Sequence, residues 1–332
     1  MRGQGSFIVS LDFELHWGVR DVVSLREKKD YFLAARDAIP HALRAFEANG
    51  VHVTWATVGF LFARNKRELT EHLPDPRPRY ANPRFDPYPM LDQIGEDEER
   101  DPFHYAPSLL HAIAEVPGQE IASHTFSHYY CLEDGQSQLT FRADLEAARV
   151  IGERFGNVTQ SLVFPRGQHN PAYVEEMAAH GVRAYRVPPV FYPYRPRRAD
   201  DETLAHRALR LVDSYISLGG AYGDDPRPDN RGMVPLRAGL FLRPYSSTRR
   251  QLEPLRMKRL KRAMSSAARA GVDFHLWWHP HNFGTNTTRN LAMLNEVLTH
   301  YRALRDRYGW PSSNMGEAAR RARECRRVDG GF

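Results

Sequence analysis

Only two cysteines, Cys131 and Cys325, occur in 332 residues. Two thiols cannot build a disulfide framework or, alone, a thiolate metal site, and they suit a reducing compartment. Nowhere does an apolar run approach the roughly 20 residues that a membrane-spanning helix requires. The first apolar run, Phe7-Ile8-Val9, is followed at once by Ser10 and Asp12. That is too short and too acidic for a signal-peptide core, so a cytoplasmic protein is expected. The chain also lacks a basic stripe interleaved with aromatics and any nucleic-acid-binding module, which argues against a nucleic-acid partner. Charge of either sign is only mildly in excess: 46 basic against 40 acidic residues leave +6. Part of that excess sits where Arg320, Arg321, Arg323, Arg326 and Arg327 outnumber Glu317 and Glu324. Such a segment is a solvated helix face, or a peripheral contact with the inner membrane's anionic lipid or with a phosphorylated substrate. No internal repeat or low-complexity linker divides the chain.

What is present is ample apolar material, 42% of residues, in an alternating order of strands and helices. Phe7 to Leu15 reads as a strand. Phe32, Ala35, Ile39, Leu43 and Phe46 recur at helical spacing over about 30–49, Gly50 stops that helix, and 51–55 reads as a second strand. Strand, helix, strand predicts a parallel sheet. Eight prolines between Pro74 and Pro107 exclude regular structure there and mark an inserted loop over about 73–107, a lid or rim. The alternation resumes with helices at 108–115, 139–155 and 171–180 and strands at 120–123, 161–164 and 182–185. From Arg186 to Tyr245 the pattern degrades. A basic amphipathic helix over 251–270, a strand at 272–278 and a helix over 288–308 follow.

Parallel α/β folds build their sites at strand ends. The first strand ends in Asp12 and Glu14, two apart and so on one face. Two buried carboxylates side by side need a cation or an arginine. The third strand runs into His124-Thr125-Phe126-Ser127-His128, and histidines at i and i+4 share one face of a helical turn. Two imidazoles and one carboxylate make three ligands with a position left for water, the pattern of a catalytic metal site. Past the next strand, Phe164-Pro165-Arg166-Gly167 supplies a guanidinium able to fork onto a carboxylate. The last clear strand carries His275, Trp277, His279 and His281 at one parity, with Pro280 fixing the backbone beside His279.

These four segments, in this order, resemble the motifs of the polysaccharide deacetylase (NodB-homology) family of metal-dependent amide and ester hydrolases. The resemblance spans residues 6 to 300. It implies a distorted (β/α)7-type barrel: a single domain, 1–310, with the Pro-rich insertion, and a basic helix or tail over 311–332. It assigns Asp12 as base, shifts the metal-binding acid to Glu14, makes His124 and His128 metal ligands, and makes His279 the acid. Arg166 corresponds to the family arginine, in altered order, and would orient Asp12. Asp213 is the candidate for the family's fourth, aspartate-bearing motif. Trp17 and Trp278 are candidates to shape a sugar cleft, and His281 a candidate for substrate binding. The implied cofactor is one divalent ion, Zn²⁺ by ligand type, with Co²⁺, Ni²⁺ or Fe²⁺ also suited. The implied substrate is an N-acylated sugar or sugar conjugate in surface-polysaccharide or glycolipid assembly. The rivals are an allantoinase-like or deformylase-like reaction on another small amide, and a non-catalytic carbohydrate-binding relative.

Overall fold

The computed structural model describes residues 5–220 and 222–329. The apolar run Phe7–Phe13 forms β1, buried at every position, and runs parallel to β2 (Val53–Thr57). Between them α1 (Leu25–Asn49) buries Phe32, Ala35, Ile39, Leu43 and Phe46 and ends at Gly50, whose φ of 61° supplies the left-handed cap. The alternation continues through α2 (Lys66–Glu71), α3 (Pro107–Ala114), β3 (Gln119–Ser123), α4 (Gln138–Ile151), β4 (Ser161–Val163), α5 (Val174–Ala179) and β5 (Ala184–Val187). Next come α6 (Leu204–Asp213), β6 (Gly223–Asp224), β7 (Val234–Arg237), α7 (Glu253–Ala270), β8 (Asp273–Trp278) and α8 (Thr287–Tyr308). The chain finishes with β9 (Ser312–Ser313) and α9 (Met315–Asp329).

Strands β8, β1, β2, β3, β4, β5 and β7 lie side by side in that order and all run parallel. The sheet nearly closes because the chain beyond β7 crosses to β8. Gly239 N–H donates to the His275 carbonyl at 2.8 Å, Trp277 N–H to Leu240 at 3.1 Å, and Leu242 N–H to Trp277 at 2.8 Å. Glycine is required at the crossing, since a Cβ on Gly239 would lie 2.6 Å from the His275 carbonyl oxygen. The fold is therefore the expected distorted (β/α)7 barrel. Strand β7 and helix α6 sit in the stretch, 186–245, where the sequence pattern degrades.

The end of the barrel formed by the strand N-termini is plugged by α9. Met315, Ala318 and Ala319 are fully buried against Ile8, Ala56, Val163, Ala184, Val234 and Leu236. Asn314 and Glu317 cap the helix reciprocally, at 2.9 and 3.0 Å. The next two amides are met from inside the barrel: Met315 N–H by Thr54 Oγ1 at 2.7 Å and Gly316 N–H by Glu120 at 3.2 Å. At the other end the proline-rich insertion is tied to the tip of β1. Asp101 bonds His104 Nδ1 (2.8 Å), whose Nε2 meets His16 Nδ1 (2.9 Å), and Trp17 Nε1–H donates to the His104 carbonyl (2.9 Å).

Candidate metal centre

Inward positions of β1 alternate as Ile8, Ser10 and Asp12, rising from the plug to the open end. Arg186, on β5, reaches across the barrel and donates to both Asp12 oxygens at 2.7 Å and to Ser10 Oγ at 2.9 Å. Its guanidinium lies over the Trp277 ring, 4.4 Å from the centroid. Burial would raise the Asp12 carboxyl, but Arg186, with His124 and His279, holds it below its ordinary value. Below it, His275 Nε2 meets Ser10 Oγ at 2.8 Å, and burial pulls that imidazole down to about 3.

Glu14 lies just past β1 with its carboxyl packed over Gly18: a Cβ there would fall 1.9 Å from the Glu14 carboxyl carbon and would have to displace it. Its Oε2 sits 3.3 Å from His124 Nε2 and 3.1 Å from His128 Nε2. The two histidines do not share a helical turn, as their spacing predicts. Residues 124–130 form an irregular loop in which Thr125 (φ 63°) and His128 (φ 58°) take left-handed conformations. Each such residue costs roughly 1–3 kcal/mol, and the surroundings must impose it. Asp144, on α4 and fully buried, does so by accepting from Phe126 N–H (2.7 Å), Ser127 N–H (3.1 Å) and Ser127 Oγ–H (2.5 Å). Burial outweighs those bonds and lifts the Asp144 carboxyl to about 6.

Whether these groups suit a cation follows from hydrogen-bond polarity. His124 Nδ1 is 2.8 Å from the Val163 carbonyl, which only accepts, so Nδ1 carries the hydrogen. In the neutral ring Nε2 is then a bare lone pair, buried without a hydrogen-bond partner and aimed at a carboxylate oxygen. His128 points its Nε2 at the same oxygen, its Nδ1 meeting Tyr130 Oη at 3.2 Å, and burial pulls it down to about 4. The bare His124 Nε2 and the Glu14 oxygen are both acceptors and cannot satisfy one another. A divalent ion among Glu14, His124 and His128, whose ligand atoms all lie within 4.8 Å of one another, satisfies all three. Burial raises the Glu14 carboxyl, but His279, His124 and His128 hold it well below its ordinary range.

His279 Nε2 stands 3.6 Å from Asp12 Oδ2 and 3.7 Å from Glu14 Oε1, with its side chain 26% exposed. His281 stacks on it at 5.1 Å but is buried, its Nδ1 3.7 Å from Glu14 and its imidazole pulled down by burial to about 4.

The structure corrects three expectations. Arg166 does not reach Asp12: it pairs with Asp21 and lies 4.6 Å over the Tyr130 ring, behind His128. Arg186, which the sequence reading passed over, takes that place, although its position at the end of β5 was a signal. Trp17 and Trp278 are core residues, exposed by 0% and 1%, and do not face a cleft; Trp277, one residue earlier, has the inward parity. Asp213 binds Tyr194, Tyr222 and the amides of Leu218 and Gly219 and touches none of the site groups. Asp144 and Tyr130 join Arg186 among the site's supporting residues not singled out for the site.

The polysaccharide deacetylase family model matches residues 30–185. That stretch, just under half of the chain, is similar to the polysaccharide deacetylase family. The match supports a hydrolase acting on C–N bonds other than peptide bonds. A putative polysaccharide deacetylase from Mycobacterium smegmatis shares the fold at 13% identity, covering 98% of this chain and 92% of that chain, with a TM-score of 0.62. A probable polysaccharide deacetylase from Pseudomonas aeruginosa PAO1 is similar at 12% identity, 96% and 90% coverage and a TM-score of 0.53. A PuuE allantoinase follows at 11% identity, 96% and 90% coverage and 0.52. No curated protein matches the sequence. No helix among the described residues is long and apolar enough to cross a membrane.

Proposed function

We propose that this protein is a member of the polysaccharide deacetylase family that uses a divalent ion, Zn²⁺ by its two-imidazole, one-carboxylate donor set, to remove an N-acetyl group from a sugar in cytoplasmic polysaccharide or glycolipid assembly. The observation that carries the reading is the pair of imidazole Nε2 atoms converging on one Glu14 oxygen, with Asp12 and His279 beside it. Two unbridged cysteines, Cys131 buried, fit the reducing compartment.

Glu14, His124 and His128 would hold the ion, and Tyr130 and the Val163 carbonyl keep the two rings oriented. When bound, the ion supplies Lewis acidity to the acyl carbonyl and lowers the pKa of water. Asp12, kept ionised and aimed by Arg186, takes a proton from the attacking water at Oδ2. His279, the site imidazole that reaches solvent, gives a proton from Nε2 to the departing nitrogen as the C–N bond breaks. The products are acetate and the free amine.

The test pairs metal content with acetate release from a panel of N-acetylated sugars. Wild type is expected to carry about one divalent ion per chain, to lose activity to a chelator and to regain it with Zn²⁺. His124→Ala should lose both ion and activity. Full activity in metal-free protein would end the proposal.

A further inference from the structure

On the His279 side of the centre lies a cavity of about 400 Å³, which the proposed reaction leaves unused. Asn282 and Tyr31 form the wall it shares with the catalytic groups. The Asn282 amide is 3.5 Å from His279 Nδ1, and the Tyr31 ring is 6.1 Å from that of His281. Farther out the lining carries three guanidinium groups, Arg243, Arg249 and Arg256, against one carboxylate, Glu253. That carboxylate is already taken: Arg256 pairs with it and donates to the carbonyls of Arg243 and Pro244 at 2.8 and 3.1 Å.

Arg243 is left over. It is half-buried, its guanidinium carbon 5.9 Å from the Phe241 ring, and Phe241 in turn lies 5.6 Å from His279. Among the described residues it has no ion-pair partner, whereas nearby Arg210 is held by Glu202 at 2.6 Å. Burial holds its pKa below the ordinary guanidinium value, and the charges of Arg256 and Arg210 add to this against the pull of Tyr194 and Tyr215. A half-buried cation facing other cations is costly unless an anion completes it. A planar guanidinium fork matches a phosphate or carboxylate through two parallel hydrogen bonds.

We propose that this cavity receives an anionic substituent of the substrate, a phosphate or carboxylate carried by the acylated sugar, and that Arg243 is the residue that selects for it. The inference rests on the reading of the neighbouring centre as one that acts on an acylated sugar.

Calorimetric binding to the metal-loaded protein tests it with three probes: N-acetylglucosamine, its 1-phosphate, and the corresponding N-acetylated uronic acid. At least one charged sugar is expected to bind about tenfold or more tighter than the neutral one, the scale of a charge-assisted hydrogen-bonded pair. Which one wins distinguishes phosphate from carboxylate. Arg243→Met should erase the difference while leaving affinity for the neutral sugar unchanged, and Arg243→Gln serves if the methionine variant does not fold. Arg250→Met, an exposed arginine beside a different groove, should leave the preference intact. Equal binding of all three sugars by wild type, or a preference that survives both Arg243 variants, overturns the assignment. Acetate release is measured on the same preparations. Charge-selective binding without acetate release would refute the reaction and spare the cavity, so the two readings fail separately.

Discussion

Arg186 grips Asp12 through both carboxylate oxygens at 2.7 Å, and the fork does two things at once. It keeps the carboxylate ionised against burial, and it fixes which lone pairs face His279. Removing one partner of such a buried pair strands the other, at a cost of about 3–5 kcal/mol. Arg186→Met is therefore expected to lose that much unfolding free energy in urea, and adding Asp12→Leu should return most of it because no lone charge remains. A double variant as unstable as Arg186→Met alone would show that the guanidinium stabilises the barrel by other contacts. Arg166→Met, which leaves the fork untouched, should keep Asp12 in place. At this scale the sequence was a good guide wherever parity or spacing governs. Asp12, Glu14, His124, His128 and His279 converge as their positions imply. It misled where only the third dimension distinguishes equivalents: Arg166 follows β4 and Arg186 sits near the end of β5, and only the register across the barrel decides which reaches Asp12. The tryptophans are a different case, since the parity that places His275 and His279 inward already placed Trp277, and not Trp278, with them.

The loop from His124 to His128 is an element whose shape its spacing conceals. A His-x3-His pair suggests a helical turn, yet the segment is irregular, with two side-chain-bearing residues at positive φ. No local propensity favours this, β-branched Thr125 least of all. The imposing group is Asp144, twenty residues from the first histidine and legible only once α4 is packed against the loop. Its carboxyl, lifted to about 6 from an unfolded value near 3.9, gives a definite pH dependence. Because the folded state holds the proton more tightly, this group's contribution is full below about pH 4. It is lost as pH rises through 6, by about 3 kcal/mol for two pH units. Asp144→Asn removes the titration. The stability gap between wild type and Asp144→Asn, measured in urea, should therefore narrow from pH 4 to pH 7. A gap that widens over that range would mean that the bonds to Phe126 and Ser127 dominate and that the carboxyl is depressed.

Across the whole molecule, the barrel divides its ends between chemistry and closure. The strand C-termini carry Asp12, His124 and His279, while the strand N-termini are sealed by α9, a segment whose arginine-rich composition points only to a solvated face or an anionic surface. Its basic character is real, but the first turn carries Met315, Ala318 and Ala319 into the barrel floor, and small residues there let the helix approach closely. Barrel closure was equally hidden, because β7 and the crossing at Gly239 acquire their meaning from β5 and β8, distant in sequence. The division predicts a separation of effects. Met315→Ala leaves a cavity among Ile8, Val163, Val234 and Leu236, for which a loss of about 2–5 kcal/mol is expected. The plug lies at the opposite end from His279, so kcat/KM of the folded fraction should stay within about twofold, since interactions at separate sites are nearly additive. Urea unfolding and activity measured on one preparation check both halves. A Met315→Ala enzyme of native stability would show that α9 is dispensable to the barrel floor, and one that is stable but inactive would show that the two ends are coupled.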